Sequence, residues 1–147
     1  ADSEQKKRDR DRAIKAVKSN HNLYIKETIT NLFSARNHQS TEIISFAKEI
    51  AKKTSRRGIV AALEGMKARP HRDIILHYAR YPIMMVIGKH DTVLNETDLV
   101  EQSEMIKNKK ITILQNSGHM GFLEEPDLSV KELKRFIRLS FSPQKKV

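Results

Sequence analysis

Tyr81-Pro-Ile-Met-Met-Val-Ile-Gly-Lys-His-Asp91 is the stretch whose reading decides the fold. Ile83 to Ile87 is an unbroken apolar run, and such a run reads as a strand buried on both faces, as in a parallel sheet. Gly88 ends it with a tight exit, and Asp91 follows on the loop. Working toward the C-terminus, a helix is expected through Leu99, Val100, Met105 and Ile106, then a second strand over Ile111 to Leu114. Asn116-Ser-Gly-His119 is the loop that leaves it. A last helix is expected from about Pro126 or Ser129 to Leu139, with Leu133, Phe136 and Ile137 facing inward, and the tail from Ser142 to Val147 reads as frayed. Strand, helix, strand, helix is a right-handed parallel unit.

Working toward the N-terminus from Tyr81, the periodicity becomes helical. Ser3 is a candidate N-cap for a helix to about Lys18, with Ala13, Ile14, Ala16 and Val17 on its apolar side. Asn20-His21-Asn22 interrupts, and Leu23 to Phe33 resumes. Ser34 to Asn37 reads as a loop. Ser40 or Thr41 begins a helix whose face is Ile43, Ile44, Ala47, Ile50 and Ala51. Thr54 or Ser55 begins another, carrying Ile59, Val60, Leu63 and Met66 and stopping at Arg69-Pro70. The chain is therefore expected to divide at residues 1–79, all helical, and 80–147, α/β. Two parallel strands alone leave their edges and faces thinly covered, so further strands are expected from elsewhere.

Composition narrows the classes. The chain has 147 residues, 38% apolar and 31% charged, which suits one globular domain with a real core rather than a disordered segment. No apolar run is long enough to cross a bilayer, and no signal peptide is legible, so no membrane role is expected. The absence of cysteine excludes disulfides, thiolate metal sites and a cysteine nucleophile, and it fits the cytoplasm. The net charge of +10 is dispersed; even the densest cluster, Lys52, Lys53, Arg56 and Arg57, has few aromatic residues to interleave with it, which speaks against nucleic acid as a partner. His71 and His77 are not spaced to share a helical face, and no His-Glu-x-x-His occurs, so neither a metal nor a cofactor is expected.

Catalytic groups of open parallel sheets gather beyond the C-terminal ends of the strands. Asp91 and His119 both fall on such loops, at the same end of neighbouring strands. A histidine can take a proton from a hydroxyl near neutral pH and return it to a leaving group. A carboxylate on its other nitrogen fixes the tautomer. The pair thus reads as the acid and base of a hydrolytic triad, against the plainer readings of Asp91 as a turn cap and His119 as a loop histidine. Gly118 and Gly121 are expected to give the histidine loop access to positive φ and a close backbone approach. Leu94 and Met120 stand beside the pair and, with Leu32 and Phe33, are candidates to line a pocket for a small acyl or alcohol group. No Gly-x-Ser-x-Gly occurs in the sequence.

The segment from Tyr81 to about Phe136 resembles the C-terminal part of an α/β-hydrolase: Pro82 to Asp91 is similar to the late strand and acid turn, and Ser117-Gly-His119 followed by Glu125-Pro126 is similar to the histidine loop and last helix. The helical first half resembles the cap, or lid, that such enzymes insert before those strands. Ala1 to Lys7 looks like its opening, and Ala61 to Met66 with Arg69-Pro70 like its closing helix. The resemblance implies the order Ser, acid, His, and Asp91 before His119 agrees with it. It also implies that the nucleophile and the oxyanion-hole loop precede the cap. The expectation is then a fragment of a serine hydrolase acting on a small ester or similar acyl substrate, inactive alone, and paired with its missing N-terminal half or with itself through the exposed sheet. The alternative is a non-catalytic, hydrolase-derived interaction module or basic nucleic-acid-binding module.

Overall fold

The computed structural model describes residues 2–141; the tail expected to fray lies outside them. The chain forms two compact units. One comprises the residues up to Asn31 together with Ser40–Ile74, and the other comprises Leu32–Gln39 and the residues from Ile75 onward. By packing, the chain divides at residue 74, and the short segment 32–39 from inside the helical half packs with the residues from Ile75 onward.

The first unit is helical. Helix α1 spans Glu4–Ser19, and the Ser3 hydroxyl accepts from the Lys6 amide as its cap. Only Asn20 interrupts before α2, His21–Asn31. The Asn20 side chain accepts from the Leu23 amide, so the same residue ends one helix and starts the next. Helix α3 covers Thr41–Lys52, and α4 covers Arg56–Ala68 with Ser55 capping the Gly58 amide. Ile14 and Val17 of α1 meet Leu63 of α4 in the core, ringed by Ala13, Tyr24, Ile59, Val60 and Met66. These positions recur every three or four residues, which is why the helical reading of this half succeeds. On α3 only Ile44 and Ala47 are buried; Ile50, expected on the same face, is 52% exposed because it lies at the stripe's edge.

Asp2 anchors the start of this unit. Its side chain is 5% exposed and accepts from Arg10 Nε at 3.0 Å, with Arg69 Nη2 at 3.5 Å. The Arg10 hydrogen bond holds its carboxyl below the ordinary carboxylate value, against burial, which acts the other way; the charges of Arg10, Arg69 and Lys6 add to the lowering. A depressed folded-state value means that the stabilisation is present above the ordinary 3.8 and is lost as pH falls through the folded value. Asp2→Asn is expected to lower the melting temperature at pH 6, and the gap from wild type should shrink below pH 3.8. Thermal melts followed by circular dichroism across that range would check it; a gap that does not change with pH would contradict the assignment.

In the second unit, β1 (Ile83–Gly88) pairs in parallel with β2 (Lys109–Leu114), running from Ile83 opposite Lys109 to Gly88 opposite Leu114. Between them lies α6, Glu96–Ser103, capped by the Asn95 side chain on the Thr97 amide. Met105 and Ile106 lie beyond its end. A four-residue helix not expected from the sequence, α7 (Gly121–Glu124), follows β2, and α8 spans Pro126–Phe141. A further helix, α5, covers Asp73–Tyr78.

Two burial expectations fail. The β1 strand is not buried on both faces: Ile87 is 1% exposed, but Val86 is 48% exposed. Nor do Leu133 and Ile137 of α8 face inward, at 49% and 48% exposed, and no described residue of that helix is fully buried. The physical reason is shared. A two-stranded sheet offers too little surface to cover both its own face and an adjoining amphipathic helix. Val130, Leu133 and Ile137 therefore form an uncovered stripe at helical spacing.

Candidate active site

The two strands extend their pairing past their ends. The Lys89 amide donates to the Leu114 carbonyl at 3.0 Å and the His90 amide to the Ser117 carbonyl at 2.9 Å. These bonds hold the loop after β1 and the loop after β2 side by side. Gly88 is required there. A Cβ on it would lie 1.9 Å from the Gly118 carbonyl oxygen and 2.8 Å from that of Ser117. A Cβ on Gly118 would lie 2.7 Å from the Ser34 nitrogen and 2.9 Å from the Leu32 oxygen. The expectation of positive φ in this loop is not met, since no glycine among the described residues has one. These glycines are needed for close backbone approach.

This packing brings Asp91 and His119 together. Asp91 Oδ2 lies 2.8 Å from His119 Nδ1. Its other oxygen, Oδ1, accepts from the Val93 amide at 2.7 Å and the Leu94 amide at 3.0 Å. The turn-capping reading and the histidine-partner reading are thus both realised, one on each oxygen. The Asp91 side chain is 6% exposed and that of His119 36%. A carboxylate can only accept, so Nδ1 must carry a proton, and the lone pair of a neutral ring is left on Nε2. Nε2 has no hydrogen-bond partner among the described residues. The arrangement can take a proton from a group placed at that nitrogen and stabilise the resulting imidazolium.

Of the candidate pocket residues, Leu94 is 41% exposed beside Asp91, Met120 is half-buried beside His119, and Phe33 is buried at 2% exposure. Leu32 contributes its carbonyl, which accepts from the His119 amide at 2.8 Å. The described cavity lies elsewhere. It measures about 550 Å³ and opens between Pro82, Asn108 to Lys110, Arg135, Phe136, Leu139 and Ser140, around the N-terminal ends of the strands. Among the described residues no cluster of acidic or histidine side chains could hold a metal ion, and no helix is long and apolar enough to cross a membrane.

Sequence reasoning passes over the acids behind the histidine. Glu124 Oε1 accepts from the Gly118 amide at 2.7 Å, and its Oε2 accepts from the Ser34 amide at 2.8 Å and Asn37 Nδ2 at 2.7 Å. Glu125 Oε2 accepts from the Asn116 amide at 2.9 Å and the buried Ser117 hydroxyl at 2.6 Å. The available signal was the pair of carboxylates after a glycine-bearing loop, whose backbone donors need acceptors once buried.

Comparison with known proteins bears on the fold that carries these loops. A thermophilic esterase from Thermogutta terrifontis matches with a TM-score of 0.87 at 20% identity, over 96% of this chain and 53% of its own. An α/β-hydrolase enzyme from a Medee basin deep-sea metagenome library matches with a TM-score of 0.75 at 17% identity, over 99% and 53%. The proline iminopeptidase of Saccharolobus solfataricus is 32% identical over 68 residues, which is 46% of this chain and 21% of that protein. No family model matches. The chain spans about half the length of these solved structures and about a fifth of the curated relative. The likeness shows the fold: this chain adopts about half of an α/β-hydrolase fold.

Proposed function

We propose that this chain is the C-terminal half of a cytoplasmic serine hydrolase, with residues 1–79 as its helical cap, and that it supplies the acid and base of a catalytic triad for a small ester or similar acyl substrate. The observation that carries the reading is the 2.8 Å bond between Asp91 Oδ2 and His119 Nδ1, with Nε2 left to face a reactant. Supporting it are the esterase among the structural neighbours and the peptidase among the relatives, both enzymes named for acyl cleavage.

In the complete fold a serine from outside these residues attacks the substrate carbonyl carbon while His119 Nε2 accepts its proton. The imidazolium, held by Asp91, then gives that proton to the departing alcohol oxygen as the carbon–oxygen bond breaks. Water repeats the sequence and releases the acid. Leu94, Met120 and Phe33 are the side chains we assign to the pocket for the acyl or alcohol group, with Phe33 buried rather than open to solvent. The remaining half of the polypeptide also covers Val86 and the apolar stripe of α8.

The test is hydrolysis of p-nitrophenyl acetate and butyrate by the protein carrying the complete fold, beside His119→Ala and the 147-residue chain alone. Turnover should fall by at least about 10³-fold in the variant and be at background for the chain alone. Undiminished turnover by His119→Ala would sink the assignment.

A further inference from the structure

Glu124 sits at the crossing of two segments far apart in sequence, and its chemistry is unusually constrained. All three of its described partners are donors: the Gly118 amide on Oε1, and the Ser34 amide and Asn37 Nδ2 on Oε2. A carboxylate offers acceptors on both oxygens and so can serve all three donors at once. Asn37 is equally constrained. Its Nδ2 donates to Glu124 and, at 2.9 Å, to the Asn116 carbonyl, so a flipped amide would set an oxygen against two acceptors. The His119 amide donates to the Leu32 carbonyl in the same layer. Leu32 to Asn37 is therefore laced to Asn116 to His119 on both sides of the catalytic candidate.

We infer that Glu124, with Asn37, is a positioning residue that sets His119 against Asp91 by clasping the segment 32–37 to the histidine loop. The inference rests on the proposed dyad and deepens it. Gly118 is the residue immediately before His119, and it has no side chain with which to fix itself by packing. The hydrogen bonds from its amide to Glu124 and from the His119 amide to the Leu32 carbonyl directly flank the imidazole and fix the backbone from which it projects. Glu124→Gln cannot reproduce this. With its NH₂ on the Gly118 side, the Gly118 amide loses its acceptor; with its NH₂ on the other side, Ser34 and Asn37 lose theirs. In either orientation the loop relaxes and the imidazole drifts from Asp91.

The experiment reads the tautomer of His119 directly, by long-range ¹H–¹⁵N correlation of the imidazoles in the 147-residue chain. Wild type is expected to show His119 almost wholly as the Nδ1–H form. Glu124→Gln should convert it to the mixed population of an unpositioned imidazole, and Asn37→Ala, which removes one donor only, should shift it less. The helical unit's amide resonances should stay in place in each variant, which separates positioning from general unfolding. In the protein carrying the complete fold, Glu124→Gln should cost on the order of 100-fold in kcat with KM little changed. A wild-type chain lacking the Nδ1–H form would overturn the dyad itself. A wild-type chain with that form, unchanged in both Glu124→Gln and Asn37→Ala, would overturn the clasp alone.

Discussion

Asp91→Asn, made in the protein carrying the complete fold, is expected to lower kcat for ester hydrolysis by about 10⁴-fold, the cost of the wrong histidine tautomer in a serine triad. The direction follows from the two jobs of the aspartate. Oδ1 accepts from the Val93 and Leu94 amides, so the asparagine carbonyl must stay on that side. Its NH₂ is then turned toward His119 Nδ1, which must become an acceptor. The ring proton moves to Nε2, and the nitrogen facing the nucleophile can no longer take a proton. The turn is preserved, so unfolding temperature should change little while turnover collapses. Initial-rate measurements over a range of ester concentrations would check this, and a variant retaining more than about a tenth of wild-type kcat would rule the dyad out as acid and base.

Gly88→Ala is expected to be the most destabilising small substitution in the α/β unit, by about 3 kcal/mol or more. The added carbon would sit 1.9 Å from the Gly118 carbonyl oxygen, and backbone cannot rotate away as a side-chain tip can. The two loops must separate, and Asp91 and His119 separate with them. Gly65→Ala is the matched control. It lies exposed in α4 with nothing within 4 Å of the new carbon, and it should stabilise by about 0.5–1 kcal/mol, because alanine fits a helix better. Urea unfolding of the three proteins measures the contrast; a Gly88→Ala midpoint within error of wild type would refute the close approach.

Most of the fold was legible because its signals are local. The spacing of Ile14, Val17, Ile59 and Leu63 is enough by itself to mark the helices, and the apolar run from Ile83 with Gly88 after it marks the strand. Asp91 and His119 were legible because strand-end loops of a parallel sheet converge. What escaped was set by the surroundings rather than by neighbours in sequence. The exposure of Val86, Leu133 and Ile137 depends on what lies against them, and periodicity identifies a stripe without saying whether anything covers it. The membership of residues 32–39 in the α/β unit depends on Glu124, which is some ninety residues away. Glu124 and Glu125 belong to a stretch that reads as a helix start; they accept amides of the loop six and nine residues before them, which hydrophobic periodicity does not register, while the bonds of Glu124 to Ser34 and Asn37 lie beyond any local window.

The same lacing dictates when the histidine loop can become ordered. The bond from Ser34 to Glu124 closes a span of 90 residues, and loop-closure entropy makes that roughly 3 kcal/mol dearer than a bond four residues apart. Helical turns form from contacts of short sequence separation, whereas this closure has to wait until the intervening chain has compacted. The dyad should therefore be among the last features to assemble during refolding and among the first to open under mild denaturant. On this account, the imidazole environment of His119 would serve as a late clock for folding, recovering after helical ellipticity has returned.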